Sequence, residues 1–105
     1  MTMYAPLTVR KLKPGAYDEW RKIWGPDDEE MPEGVEVFVL RNLKDENEII
    51  AFGLFEGDAE EIRAMIDPDE ERKRQEAMAP FIESIGADGI YEVIERIGSR
   101  VAARR

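Results

Sequence analysis

The chain of 105 residues has neither cysteine nor histidine. Without cysteine there is no disulfide, no thiolate metal site and no thiol nucleophile, and nothing marks the redox compartment. Without histidine the chain lacks the side chain most used as a general base near neutral pH, and the commonest transition-metal ligand. Ser84 and Ser99 therefore belong to no Ser-His-Asp triad. Positive charge is also short. Fifteen Lys and Arg stand against 24 Asp and Glu, a net charge of −9. A surface that acidic repels phosphate, so neither nucleic acid nor an anionic membrane is an expected partner. No apolar run reaches the length of a membrane span. Met1 to Pro6 has neither the charged start nor the apolar stretch of a secretory leader, so the expected location is the cytoplasm. No glycine-rich phosphate loop follows a strand, and there is no short repeat.

What is present is enough for one compact domain. Hydrophobic residues make up 43% of the chain, ample for a core at this length. The pattern predicts a first strand over Tyr4–Lys13, with Leu7 and Val9 on one face and Thr8, Arg10 and Leu12 on the other. Lys13-Pro14-Gly15 breaks it, and Gly15 is the expected N-cap of a helix running to Trp24 and stopped by Gly25-Pro26. Tyr17, Trp20, Ile23 and Trp24 share one side of that helix. An acidic loop, Asp27-Asp28-Glu29-Glu30, follows. It lacks the spaced ligands and central glycine of an EF-hand, so it reads as a solvated loop and not a metal site.

Val35–Asn42 and Glu48–Glu56 alternate as strands, and the short polar turn between them predicts an antiparallel hairpin. Arg41 and Asn42 are expected to serve that turn. Asp58, followed three residues later by Glu61, opens a short helix bearing Ala59, Ile62 and Ile66. Asp67-Pro68 opens a second helix, with Glu70 and Arg74 spaced to pair and an apolar side of Met78, Phe81, Ile82 and Ile85. Pro80 is expected to kink or restart it, and Gly86 and Gly89 to mark its exit. The last strand is predicted over Ile90–Ile97. Residues 1–97 then form one domain, and residues 98–105 a basic tail.

The order β-α-β-β-α-β is ferredoxin-like, an α+β fold with a four-stranded antiparallel sheet and helices on one face. One group of strand residues is Val35, Val37, Val39, Ala51, Phe55, Tyr91 and Val93. The other is Phe38, Leu40, Ile50, Phe52, Leu54, Ile90 and Ile94. Both are apolar, whereas a solvated face reads polar at alternate positions. Helices cover one group; a second copy of the chain, packed sheet to sheet about a two-fold axis, is the expected cover of the other.

Several stretches resemble the dimeric α+β-barrel superfamily, within it the antibiotic-biosynthesis-monooxygenase-like and stress-responsive small proteins. They are Val9 to Trp20 at the first strand–helix junction, Val37 to Asn42, Ile49 to Glu56, and Pro80 to Glu83 with Tyr91 to Val93. The resemblance implies a sheet-to-sheet homodimer and, in each subunit, a small-molecule cavity between sheet and helices. Members that degrade haem carry an Asn on the first strand, a Trp on the helix after the third strand and a His on the helix beyond. By spacing those positions fall near Thr8, Ala64 and Arg74, so the resemblance does not extend to haem degradation. Other members oxidise aromatic phenols without a cofactor. No metal or cofactor is expected here.

Candidate cavity-lining residues are Thr8, Arg10, Trp20, Trp24 and Phe81. Trp20 and Trp24 could wall a planar apolar ligand, but helical periodicity favours the core for both. Arg10 could reach a ligand anion if its strand face looks at the helices. The favoured alternative puts it at the surface or the barrel end. Two functions follow. One is a protein that binds a small apolar or aromatic molecule, with cofactor-free monooxygenase activity as its enzymatic form. The other is a non-catalytic dimeric stress-associated or regulatory module.

Overall fold

A computed structural model describes residues 2–25, 31–64 and 66–98. The acidic loop 27–30, Ser99 and the terminal arginines lie outside the described residues. Strand β1 (Thr2–Leu12) leads into helix α1 (Tyr17–Trp24), then the hairpin β2 (Glu36–Asn42) and β3 (Asp45–Gly57). Helices α2 (Ala59–Ala64) and α3 (Pro68–Met78) follow, then one 3₁₀ turn over Ala79–Phe81 and strand β4 (Ile82–Glu92). The four strands form one antiparallel sheet in the order β2-β3-β1-β4. This is the expected ferredoxin-like α+β arrangement.

The helix starts follow from their capping side chains. Asp58 Oδ1 accepts from the Glu61 N–H at 2.8 Å. Asp67 Oδ1 accepts from the Asp69 and Glu70 N–H groups at 2.9 and 3.5 Å, with Pro68 on the first turn. These side chains satisfy donors that a helix start leaves open. The first helix differs from expectation. Ala16 is its N-cap without a side-chain bond, and Gly15 sits one residue earlier at φ +75°, inside the turn. The hairpin is tighter than predicted, turning over Leu43 and Lys44 alone, so β3 starts at Asp45. Asn42 serves the turn: its Oδ1 accepts from the Lys44 N–H at 2.8 Å and its amide donates to Glu48 at 2.8 Å. Arg41 does not; its guanidinium lies 5.5 Å from the Tyr17 ring centroid.

The largest correction is β4. The helix ends at Met78, and the strand starts at Ile82 and finishes at Glu92. The apolar residues Met78, Phe81, Ile82 and Ile85 fit helical spacing, which hid the change of structure. The change comes at Pro80, which joins the 3₁₀ turn, and Phe81 then accepts from the Lys13 N–H at 2.9 Å. Gly86 and Gly89 are strand residues, not helix exits, and neither site is too tight for a side chain. A Cβ on Gly86 would stand 3.5 Å from Val9, and one on Gly89 3.5 Å from the Tyr91 ring. Ile94 and Ile97, expected in the strand, are 87% and 83% exposed beyond it.

The helices cover the sheet face that carries Thr8, Arg10, Leu12, Val37, Val39, Ile49 and Ala51. Leu12, Trp20, Ile49, Ala51 and Met78 form the buried core, with Tyr17, Ile23, Trp24, Val39, Phe81 and Ile82 packed around it. The opposite face bears Leu7, Val9, Phe38, Leu40, Ile50, Phe52, Leu54 and Tyr91. Phe38 and Phe52 face each other across β2 and β3, their rings stacked at 5.1 Å. No helix of the described residues covers them, and Phe38, Leu40 and Tyr91 are 38–47% exposed. The grouping of β4 residues is the reverse of the expected one. Tyr91 pairs with Ala5 on the uncovered face and Ile90 with Pro6 on the helix side.

Candidate functional site

A cavity of about 550 Å³ lies between the sheet and the helices, within the range usual for small-molecule sites. Its floor is the helix side of the sheet: Pro6, Thr8 and Arg10 from β1, and Ala51 and Gly53 from β3. Its apolar wall is Trp24, Val37, Phe55, Ile62, Ile66 and Ile90, with Met31 from the loop before β2. Glu71, Arg74 and Gln75 of α3 and Asp88 of β4 add the polar groups.

Local sequence explains why space opens here. Proline has no N–H to give a ladder. The paired residues of β1 and β3 run from Thr2 to Tyr4 and resume at Leu7, leaving out Ala5 and Pro6, while both pair with β4. Beside this gap Gly53 supplies no side chain, and a Cβ there would fall 2.9 Å from Phe55 Cε2. Small residues therefore keep the floor low, and the Phe55 ring leans over it. Ile62 is buried on α2, and Ile66 follows just past the helix end.

Arg10 is the unusual member. It is 4% exposed, yet its Nε and NH1 have no hydrogen-bond partner. Its guanidinium carbon lies 5.9 Å from the Trp20 ring centroid, a cation–π distance. The indole N–H of Trp20 is buried and likewise without a partner. Burial pushes the Arg10 guanidinium below its ordinary value, while the charges of Asp88 and Glu71 hold it up and Arg74 adds to the fall. Glu71 is already engaged: it takes the Arg74 guanidinium and accepts from the Gln75 amide at 2.8 Å. The expected Glu70–Arg74 pair is thus replaced by Glu71–Arg74, and Glu70 stands 4.0 Å from Lys73 instead.

Of the five residues singled out from the sequence, Thr8, Arg10 and Trp24 line this cavity. Trp20 is fully buried in the core beneath Arg10, and Phe81 packs against the core near the 3₁₀ turn. Arg10 is neither a surface nor a barrel-end residue: its strand face looks at the helices, and the sheet and α3 enclose it. The sequence reading missed Phe55, Ile62, Ile66, Glu71, Gln75, Asp88 and Ile90. Asp88 and Ile90 flank Gly89 and Ile66 precedes the Asp67-Pro68 break, but the others carry no local signal and come together only once the strands are paired and the helices seated. Among the described residues no group of three or more Asp and Glu is placed to hold a metal ion. No helix among them is long and apolar enough to cross a membrane.

No protein-family model and no curated protein matches the chain. Solved structures do. A provisionally named antibiotic biosynthesis monooxygenase from Caulobacter crescentus CB15 matches with a TM-score of 0.65 at 16% identity, over 90% of this chain and 91% of that one. Another so named, from Chloroflexus aurantiacus J-10-fl, matches at 0.59 and 20% identity, over 91% and 95%. A conserved protein from Methanosarcina mazei Go1 matches at 0.66 and 14% identity, over 91% and 95%. The chain therefore has the α+β fold of the antibiotic-biosynthesis-monooxygenase-like proteins, along nearly all of its length and of theirs.

Proposed function

We propose that this chain is a homodimeric small-molecule-binding protein that takes a mostly apolar, ring-shaped compound into the cavity between sheet and helices. The cavity itself carries the reading: an apolar wall with an indole, a phenyl ring and three isoleucines, and a few polar groups at one side, is the usual make-up of a site for such a ligand. The enzymatic form is monooxygenation, the activity in the names of two structural neighbours, carried out here without a cofactor. A phenol bound there could lose its proton to a carboxylate such as Asp88 and meet oxygen away from bulk water. With neither histidine nor cysteine in the chain, such a carboxylate is the available base.

The dimer reading is supported by the uncovered sheet face. Each large apolar side chain gains roughly 1.5–3 kcal/mol on full burial. A second copy presents the same apolar patch and can close it about a two-fold axis. Native mass spectrometry of protein purified from its own host tests both parts. The expected species is twice the 12.1 kDa chain mass plus a retained organic ligand. A bare dimer that also fails to consume oxygen with any phenol would favour the non-catalytic module, a reading that the missing histidine and cysteine favour.

A further inference from the structure

The cavity has one buried cation, Arg10, two of whose three nitrogens have no acceptor. An arginine keeps its charge under all ordinary conditions and presents a planar fork of five N–H donors. Holding such a group away from water without acceptors is costly, so buried arginines are normally paired. Arg10 is 4% exposed, and its Nε and NH1 have no acceptor. Neither neighbouring carboxylate fills the place. Glu71 is committed to Arg74 and Gln75, and Asp88, across from Thr8 on β4, makes no ion pair with Arg10 within 4 Å. The Trp20 ring stacks against Arg10 but cannot accept two in-plane N–H bonds.

Resting on the reading of this cavity as a ligand site, we propose that Arg10 is a ligand-binding residue for an oxyanion, so that the compound bound is an aromatic or alicyclic ring carrying a carboxylate or an ionised phenol. The oxygen accepts from the Arg10 fork at the sheet floor, and the ring lies against Trp24 and Phe55. A planar carboxylate matches a guanidinium with two parallel bonds, whereas a phenolate offers one oxygen. The apolar wall selects the ring and Arg10 selects the charge. Arg74 is already paired, which leaves Arg10 as the cation of the site with free donors.

The test compares three probes of like shape: 2-naphthoate, 2-naphthol and neutral 2-naphthamide. Each is titrated by NMR into the isotope-labelled protein and into Arg10→Met and Arg10→Lys, with circular dichroism to establish that each variant is folded. The proposal expects 2-naphthoate to bind about tenfold or more tighter than 2-naphthamide, the scale of one charge-assisted bond. Arg10→Met should abolish that preference, weakening 2-naphthoate far more than 2-naphthamide, and Arg10→Lys should restore part of it. A preference for 2-naphthol at a pH where it is ionised, lost in Arg10→Met, supports the phenolate as the anion. Equal affinity for naphthoate and naphthamide, or a naphthoate preference that survives in Arg10→Met, overturns the oxyanion role yet leaves the cavity a ring-binding site. Failure of all three probes to bind overturns both readings.

Discussion

Trp20 and Trp24, one helical turn apart on α1, stack with centroids 5.4 Å apart and ring planes 20° from parallel. The inner indole is wholly buried in the core, and the outer one lines the cavity. One stack thus joins what holds the fold together to what shapes the site. Trp20→Ala should cost about 3–5 kcal/mol, the range for emptying a core aromatic position. Trp24→Ala should cost clearly less and should weaken binding of ring compounds. Urea denaturation followed by circular dichroism checks the first, because a total stability of about 5–15 kcal/mol makes such losses large. Equal losses from the two substitutions would contradict this division of labour.

Arg10 is held at a cost to the fold if its role is to meet a ligand. Arg10→Met replaces an unpartnered buried charge with an apolar side chain of similar reach. In the ligand-free protein the substitution should raise stability by about 1 kcal/mol or more. The measurement is the urea midpoint at constant slope. A lower midpoint would mean that Arg10 supports the fold.

Lys11 and Asp45 pair at 3.2 Å where the start of β3 meets β1. The Asp45 carboxyl is held below its ordinary range, first by the hydrogen bond from the Asn47 backbone N–H and then by the Lys11 ammonium. A carboxylate lowered on folding stabilises the fold above its unfolded value. That contribution is lost as pH falls from the ordinary 3.8 through the lower folded value. The Lys11 ammonium is raised, chiefly by its hydrogen bond to Asp45. Its contribution is therefore present below the ordinary 10.5 and lost as pH rises through the higher folded value. An NMR titration of Asp45 in Lys11→Met should show its midpoint move upward but stay below the ordinary value, because the Asn47 bond persists. Full return to the ordinary value would place the whole effect on the lysine.

The Phe38–Phe52 stack lies on the uncovered sheet face, across the edge strand β2 and its neighbour β3. Phe38→Glu places a charge there without touching the helix side. Sedimentation velocity should show the parent chain at twice its 12.1 kDa and the variant at the single-chain mass, with an unchanged far-ultraviolet spectrum. A parent chain that sediments as one copy at all concentrations would remove the dimer.

Much of this architecture can be read from residue patterns. Alternation in β1 separates Thr8, Arg10 and Leu12 from Leu7 and Val9 correctly, because side-chain direction in a strand has a period of two. Asp58 and Asp67 mark helix starts through capping chemistry that is purely local. The failures are non-local. Phe81, Ile82 and Ile85 satisfy helical spacing but belong to a turn and a strand, and only pairing with β1 decides between them. Glycines 86 and 89 resemble breakers until β4 is seen paired with β1. Arg10 looks like a surface residue because charge reads as exposure. Nothing in a single chain trace announces that a strand will bury a guanidinium under a helix layer. The cavity is legible only as a place between layers, since its lining comes from seven elements and two loops brought together by the sheet.

The most direct test of the site is where a ring compound touches the protein. Isotope-filtered NOE spectra of the 2-naphthoate complex should connect the naphthyl protons to the Trp24 indole and to the Phe55, Ile62 and Ile90 side chains. Contacts to Phe38, Leu40 and Ile50 in their place would put the ring on the open sheet surface and contradict the cavity as the binding site.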